Sequence, residues 1–286
     1  MSKSVLITGA GMGLGLETAL YLAQRGFTVY ASVPEAAHRD LVMTRAAEQG
    51  VTLHVPRLDV TDEASIRETV GTILAETGHV YGVVHNAGIS LRGYFEDCEE
   101  EEIRRVMEVN FFGTLAVTRA VLPSMRQAGQ GRLIFISSIG GRIASMARTA
   151  YCASKFAIEG FAESLMQEVA PLGLHVSIIE PAIIRTERWT VHRGIARRAL
   201  DPDSPYREWF QRQEELADVL VRTSPTKPMH VARVVYRALT ARRPRLRYMV
   251  GWRAKSVLLL RRLLPGELFE RFYFGEAMRR VAGSSS

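Results

Sequence analysis

The sequence predicts an α/β protein built on one doubly wound parallel sheet with helices on both faces. Three observations carry this. Short apolar, β-branched runs alternate with longer helical stretches, the pattern of strands covered on both sides. The first run breaks into Thr8-Gly9-Ala10-Gly11-Met12-Gly13-Leu14-Gly15 and then into a helical pattern. The chain has 286 residues and 47% hydrophobic content, enough for one large core with room for extensions.

The elements follow in order. Residues 5–8 read as a strand and 16–25 as a helix, with the glycine turn between them. That succession aims backbone N–H groups and a helix N-terminus at a phosphate, and glycine lets a ligand approach without a Cβ in the way. The spacing Gly9, Gly13, Gly15 is a nucleotide-binding variant rather than G-x-G-x-x-G. Strands are expected at 28–32, 53–55, 81–85, 133–137 and 175–179, and long helices at 100–127 and 149–169. From residue 183 to 228 the periodicity fades and Trp189, Trp209, Phe210, Pro202, Pro205 and Pro225 appear. Repeats, low-complexity segments and an interdomain linker are absent from the sequence, so residues 1–251 read as one domain.

Charge is concentrated at the end. Residues 242–280 hold eleven Lys/Arg against three Asp/Glu, or +8, while residues 1–241 carry about −1. Trp252, Leu263, Leu264, Phe269 and Phe272 interleave there with Arg253, Lys255, Arg261, Arg262 and Arg271. Residues 252–286 therefore read as a basic amphipathic extension, suited either to an anionic membrane interface or to packing on the protein. It is too short in apolar runs to span a bilayer. No nucleic-acid motif accompanies the charge. Two cysteines, Cys98 and Cys152, give no disulfide framework, and the first strand starts at once, so a cytoplasmic protein is expected, with peripheral membrane contact only on the first of the two readings of its tail. The histidines lack metal-ligand spacing, and no metal is expected.

The chemistry centres on Tyr151 and Lys155, which share one helix face at i, i+4, with Ser138 thirteen positions before Tyr151 at a strand end. A free phenol ionises near pH 10, so a tyrosine acting as a base near neutrality needs a positive charge beside it. Alone, a Tyr and a Lys at this spacing are more often ordinary helix surface. Ser138 can hydrogen-bond a substrate oxygen while Tyr151 exchanges its proton. Asn110 lies inside the helix expected at 100–127, flanked by Val109, Phe111 and Phe112, which implies burial and a specific partner.

The glycine turn, Asn86-Ala87-Gly88, Asn110, Ser138 and Tyr151-x-x-x-Lys155, in that order over residues 3–250, resemble the short-chain dehydrogenase/reductase family. The resemblance implies a Rossmann-type domain, a nicotinamide cofactor and a catalytic set of Asn110, Ser138, Tyr151 and Lys155, with Asn110 kinking its helix and supporting a proton relay. It implies cofactor contacts from Gly9, Gly11, Met12, Gly13, Leu14, Gly15, Val33, Asp59, Val60, Asn86, Ala87, Gly88, Tyr151, Lys155, Pro181, Ile184 and Thr186. Asp59 would hold the adenine amino group, unless it caps the helix beginning near Asp62. Ala182 stands where the family usually has glycine, so its loop must turn less tightly. The stretch Val29 to Pro34 offers neither the carboxylate that favours NAD nor an arginine for NADP, and the missing phosphate clamp leans toward NAD, with His38 and Arg39 as the residues that could reverse it.

Residues 183–228 occupy the place of the family's substrate-covering segment, and their aromatics imply an apolar helical lid and a lipophilic substrate. Arg247 to Trp252 and the basic tail resemble the retinol and hydroxysteroid dehydrogenase branch. The reading is thus an NAD(P)-dependent alcohol dehydrogenase or carbonyl reductase for a steroid- or retinoid-like substrate, working as a homodimer or homotetramer. A reductase of small or polyketide-like carbonyls and a catalytically silent nucleotide-binding protein are the alternatives.

Overall fold

A computed structural model describes residues 3–185 and 193–282. Its strands are β1 (Ser4–Ile7), β2 (Thr28–Ala31), β3 (Gly82–His85), β4 (Gly131–Ile136), β5 (Leu174–Pro181) and β6 (Arg247–Val250). They form one parallel sheet in the order β2-β1-β3-β4-β5-β6. Alternation along each strand sends side chains to opposite faces. Val5 and Ile7 pack with α1 (Gly13–Ala23), α2 (Ala37–Glu48) and α8 (Pro228–Thr240), while Leu6 faces α3 (Glu63–Thr77), α5 (Gly113–Ala128) and α6 (Thr149–Val169). The chain steps from β1 outward to β2 and returns to β3 on the other side of β1. That reversal opens a crevice at the carboxyl ends of β1 and β3, where ligands of such sheets bind.

Three expectations change. Residues 53–55 do not form a strand of the ladder, because pairing is limited to the isolated bridges Tyr30↔His54, on β2, and Val33↔Arg57, just beyond it. Pro56 between them has no N–H to continue the ladder. The helix expected at 100–127 is two helices, α4 (Glu100–Met107) and α5, joined by a wide π-helical turn at Glu108–Phe112 that contains Asn110. β6 was not anticipated. It is a half-buried edge strand whose Arg247 reaches Glu159, Glu163 and Glu180, so it lacks the apolar run that marks an interior strand.

Beyond β5 the chain forms α7 (Arg207–Arg222) and, after β6, α9 (Trp252–Leu263) and α10 (Gly266–Ala282). Ala182 is accommodated without positive φ. Its N–H bonds the Val250 carbonyl at 2.8 Å, and opposite it stands Gly251, φ +112°, where a Cβ would lie 2.8 Å from the Ala182 methyl.

Candidate active site

The glycine turn divides its labour. Gly9 has φ +64°, and a Cβ there would sit 2.8 Å from the Ala87 backbone; at Gly15 it would sit 2.6 Å from Asn86 Nδ2. These two glycines bring the β1 and β3 loops together. Gly13, φ +55°, has nothing within 4 Å of a Cβ and opens α1 toward solvent. Met12 provides no side-chain cap and the first turn of α1 holds no acid, so the leading N–H groups are uncapped where Met12, Gly13 and Leu14 line a cavity. A pyrophosphate fits that terminus in charge and in hydrogen bonding.

Asn86 braces the turn from behind. Its Nδ2 donates to the carbonyls of Thr8 (3.0 Å) and Gly9 (2.8 Å), while Thr8 Oγ1 accepts the N–H groups of Asn86 and Ala87. A Cβ at Gly11 would meet His38 Cβ at 3.2 Å and Val33 Cγ1 at 3.4 Å, and His38 Nδ1 is buried without a hydrogen-bond partner. Asp59 does not cap α3. Asp62 does, accepting from Ala64 N and Ser65 N. Asp59 instead accepts the Thr61 N–H and hydroxyl at 2.9 and 2.8 Å; burial would raise its carboxyl, but these bonds with Arg105 and Arg57 hold it below the usual range.

The residues expected to carry the chemistry come from three elements, the end of β4, α6 and the π-helical turn. Ser138 follows β4, and its Oγ accepts the Gly140 N–H at 3.0 Å. A Cβ on Gly140 would lie 3.4 Å from Tyr151 Cε1 and 3.5 Å from Ser138 Oγ, so the phenol and hydroxyl flank one small residue. One turn along α6, Lys155 is buried, donates from Nζ to the Ile136 carbonyl at 2.8 Å and stands 5.9 Å from the Tyr151 ring centroid. Asn110 uses its whole amide: Oδ1 accepts Ile89 N–H at 2.7 Å, and Nδ2 donates to the Ile89 carbonyl (2.9 Å) and Ser154 Oγ (3.0 Å). Any Cβ at Gly88 would come within 3.1 Å of Asn110 Oδ1 and 3.8 Å of Lys155 Nζ. Just before α6, Ala147 holds φ +53°, a strained conformation for a non-glycine residue, and its carbonyl accepts the Gly93 N–H. Arg148 follows, half-buried beside Arg92 and Tyr151; desolvation, then Arg92, pulls its guanidinium below the ordinary arginine value.

A cavity of about 1090 Å³ joins these groups. Of the residues expected to act, Met12, Gly13, Leu14, Asn86, Gly88, Ser138, Tyr151, Lys155, Pro181 and Ile184 line it. Gly9, Gly11, Gly15, Val33, Asp59, Val60, Ala87 and Asn110 do not, and act as its frame or lie farther along the crevice; Val60, for example, packs where a Gly113 Cβ would be, 2.7 Å away. Thr186 lies outside the described residues, as do Trp189 and His192.

The segment 183–228 reaches the cavity through α7, but not through its described aromatics. Trp209 clusters with Tyr94 and Tyr206, and Phe210 is buried with Leu91 and Val106, so neither reaches the cavity. Leu216 and Leu220 of α7 supply one wall, and Phe269, Tyr273, Ala277 and Val281 of α10 supply another. The last four repeat every fourth residue on one helix face, a signal present in the sequence that was read only as amphipathicity.

A family model for the short chain dehydrogenase matches residues 3–193. The chain belongs to the short chain dehydrogenase family. It is 33% identical over 270 residues to an oxidoreductase of Bacillus subtilis, YusZ, spanning 94% of this chain and 96% of that protein. Human retinol dehydrogenase 5 is 34% identical over 282 residues, spanning 93% and 86%. A solved short-chain dehydrogenase from Streptomyces avermitilis superimposes with a TM-score of 0.78 at 31% identity, covering 96% of this chain and 98% of that one. As a short chain dehydrogenase with retinol dehydrogenase relatives, the protein is an NAD(P)-dependent oxidoreductase. Among the described residues, no helix is long and apolar enough to cross a membrane.

Proposed function

We propose that this short chain dehydrogenase interconverts a lipophilic alcohol and its carbonyl compound, with Tyr151 as the acid/base. The observation that carries the reading is one cavity whose polar end holds Ser138, Tyr151 and Lys155 and whose remainder is walled by Leu216, Leu220, Phe269, Tyr273 and Met278. Apolar walls around a few convergent polar groups select a mostly apolar ligand and fix one oxygen of it. Retinol dehydrogenase 5 carries such a substrate in its name, which agrees with a bulky apolar alcohol here.

The nicotinamide, when bound, supplies hydride transfer to or from the substrate carbon. Met12 to Leu14 would hold the pyrophosphate, Lys155 and Tyr151 the nicotinamide ribose, Pro181 and Ile184 the ring, and Asp59 the adenine. Thr186 would take the carboxamide. Ser138 Oγ hydrogen-bonds the substrate oxygen, and Tyr151 Oη takes the alcohol proton or returns it. Lys155, tethered to the Ile136 carbonyl, sets a positive charge beside the ring, as a proton-releasing phenol requires. Asn110 holds the loop at Ile89 in register with Ser154 on α6, which fixes the cavity wall between β3 and the catalytic helix.

NAD is the favoured cofactor, because Ser32, Val33 and Pro34 at the end of β2 provide no cation for a 2′-phosphate. His38 Nδ1, buried and unpartnered beside Gly11, is placed to accept from or donate to a ribose hydroxyl. The exposed Phe112 and Phe156, next to α5 and on α6, fit a subunit interface along these helices.

The deciding experiment is a panel of steroid, retinoid and long-chain alcohols with NAD and NADP, followed by nicotinamide absorbance. Turnover of at least one apolar alcohol, with NAD preferred, is expected; turnover of small polar carbonyls alone would refute the substrate class. In the same assay Tyr151→Phe should lose about 10²-fold or more of kcat, the scale of acid/base catalysis, while cofactor affinity measured by fluorescence titration stays within about threefold. Retained turnover would remove Tyr151 from the mechanism.

A further inference from the structure

The cavity that holds Tyr151 is rimmed by side chains that are at once part of its wall and open to solvent. Leu216, Val219 and Leu220 on α7, Leu260 on α9, and Phe272 and Met278 on α10 line it, yet Phe272 is 64% and Met278 52% exposed. They mark its mouth. The same apolar surface continues past the mouth along α9 and α10 through Leu259, Leu263 (70% exposed), Leu268 and Trp252 (63%). Single exposed hydrophobic residues are ordinary, but a continuous patch of this kind around a cavity is an interaction surface.

Charge decides what covers it. Lys255, Arg262 and Arg271 are exposed on the same two helices, and residues 242–280 carry +8 while the rest of the chain is nearly neutral. A second copy of the chain would set the same excess of positive charge against itself. An anionic bilayer takes the leucines and aromatics at its acyl boundary and the arginines at its phosphates, which is how basic amphipathic helices lie in an interface. With 12 and 17 residues, α9 and α10 are suited to lying in that plane, and no described helix can cross it.

We propose that the rim formed by α7, α9 and α10 docks on an anionic lipid surface with the cavity mouth facing the bilayer, so that an apolar substrate reaches Tyr151 from lipid rather than from water. The substrate half rests on the reading of this cavity as the substrate site; the docking half does not. α9 is also tied to the catalytic loop, since Arg261 donates to the Arg142 carbonyl four residues beyond Ser138.

The test is sedimentation of the full chain with vesicles of phosphatidylcholine, with and without phosphatidylserine. Binding at least tenfold tighter to the anionic vesicles, weakened by salt, is expected. Leu259→Glu with Leu263→Glu changes exposed residues that do not line the cavity, and should lose that binding while cofactor affinity is kept. Brominated acyl chains should quench tryptophan fluorescence in the intact chain and much less in Trp252→Phe. A bromide effect that persists in Trp252→Phe, equal binding to neutral and anionic vesicles, or no binding would overturn docking. So would a Leu263-dependent dimer without lipid binding. For the substrate half, the double variant should lose about tenfold in kcat/KM for a vesicle-partitioned alcohol and nothing for a short soluble one; equal loss for both would overturn entry from lipid. Lipid binding without turnover of any alcohol would instead count against the proposed reaction and leave docking standing.

Discussion

At the scale of the residue, what spacing reveals differs from what packing reveals. Tyr151, Lys155 and Ser138 stand out in the sequence only together with the glycine turn, Asn86 and Asn110, because a Tyr and a Lys four residues apart are by themselves ordinary helix surface. Asn110 is legible as buried but not as a brace, since its partners, Ile89 and Ser154, come from other elements. Asn110→Ala would remove the bonds to the Ile89 N–H and carbonyl, which are part-buried and can turn to water, and the buried bond to Ser154 Oγ, so a loss of about 1–3 kcal/mol in all is expected. A fall in thermal midpoint and weaker cofactor binding are the expected readouts of calorimetry and fluorescence titration. His85 shows the reverse case, a residue given no chemical role by the sequence that has an energetic one. Its ring stacks on Phe135 at 4.7 Å, lies 3.2 Å from Thr118 Oγ1, and is pushed by burial down to about 3 from an ordinary 6.5. The unfolded imidazole takes its proton near 6.5 while the folded one resists to about 3, so the native state binds fewer protons across that window and stability falls as pH drops through it. Urea titrations between about pH 7 and pH 4 should show a shallower loss for His85→Asn than for the parent chain. Parallel acid limbs would remove His85 from the account.

At the scale of the element, the errors of sequence reading have local causes. The run at 53–55 has strand-like residues, but Pro56 ends its ladder and leaves two isolated bridges. The 100–127 stretch has helical periodicity throughout, which cannot reveal one wide turn at Glu108–Phe112, because a π-turn is made by the tertiary bonds of Asn110 rather than by propensity. β6 is held by ions rather than by apolar alternation. Arg247 bonds Glu159 at 3.1 Å and Glu163 at 2.6 Å and lies 3.4 Å from Glu180, which also pairs with Arg142 at 2.8 Å. Glu159 is buried, and burial raises its carboxyl despite Arg247. Arg247→Met would leave Glu159 facing Glu180 without that guanidinium; because Arg247 is partly exposed and Glu180 keeps Arg142, the cost should fall below the about 3–5 kcal/mol of a fully buried pair. A raised carboxyl favours the folded state while protonated and opposes it once ionised, so the variant's deficit should grow as pH rises through the acid's folded pKa. Denaturation at mildly acidic and mildly alkaline pH measures that growth; a deficit independent of pH would mean that Arg247 acts by packing alone.

At the scale of the whole molecule, the parallel sheet covered on both faces follows from the strand and helix alternation, but neither its strand order nor the substrate site does. An amphipathic helix announces that one face is covered without saying by what. The tail was legible as basic and apolar, and residues 183–228 after β5 as a substrate-covering segment, yet nothing in either pattern joins the two. The structure joins them through α10, where Phe269 and Val281 are buried and Arg212 of α7 donates to the Val281 and Ala282 carbonyls. A chain ending at Gly251 would keep the glycine turn, Asn86 and the β1–β3 crevice, none of which α10 frames, and should bind the cofactor within about threefold of the full chain. It would lose the Phe269 and Tyr273 wall, and withdrawing one such aromatic contact is worth about 1.5–3 kcal/mol. The expected kinetic outcome is a rise of about tenfold or more in KM for bulky apolar alcohols and little change for small ones. Equal effects on both would assign α10 to folding rather than to selection, because a wall that touches only the distal part of a long substrate cannot be felt by a short one.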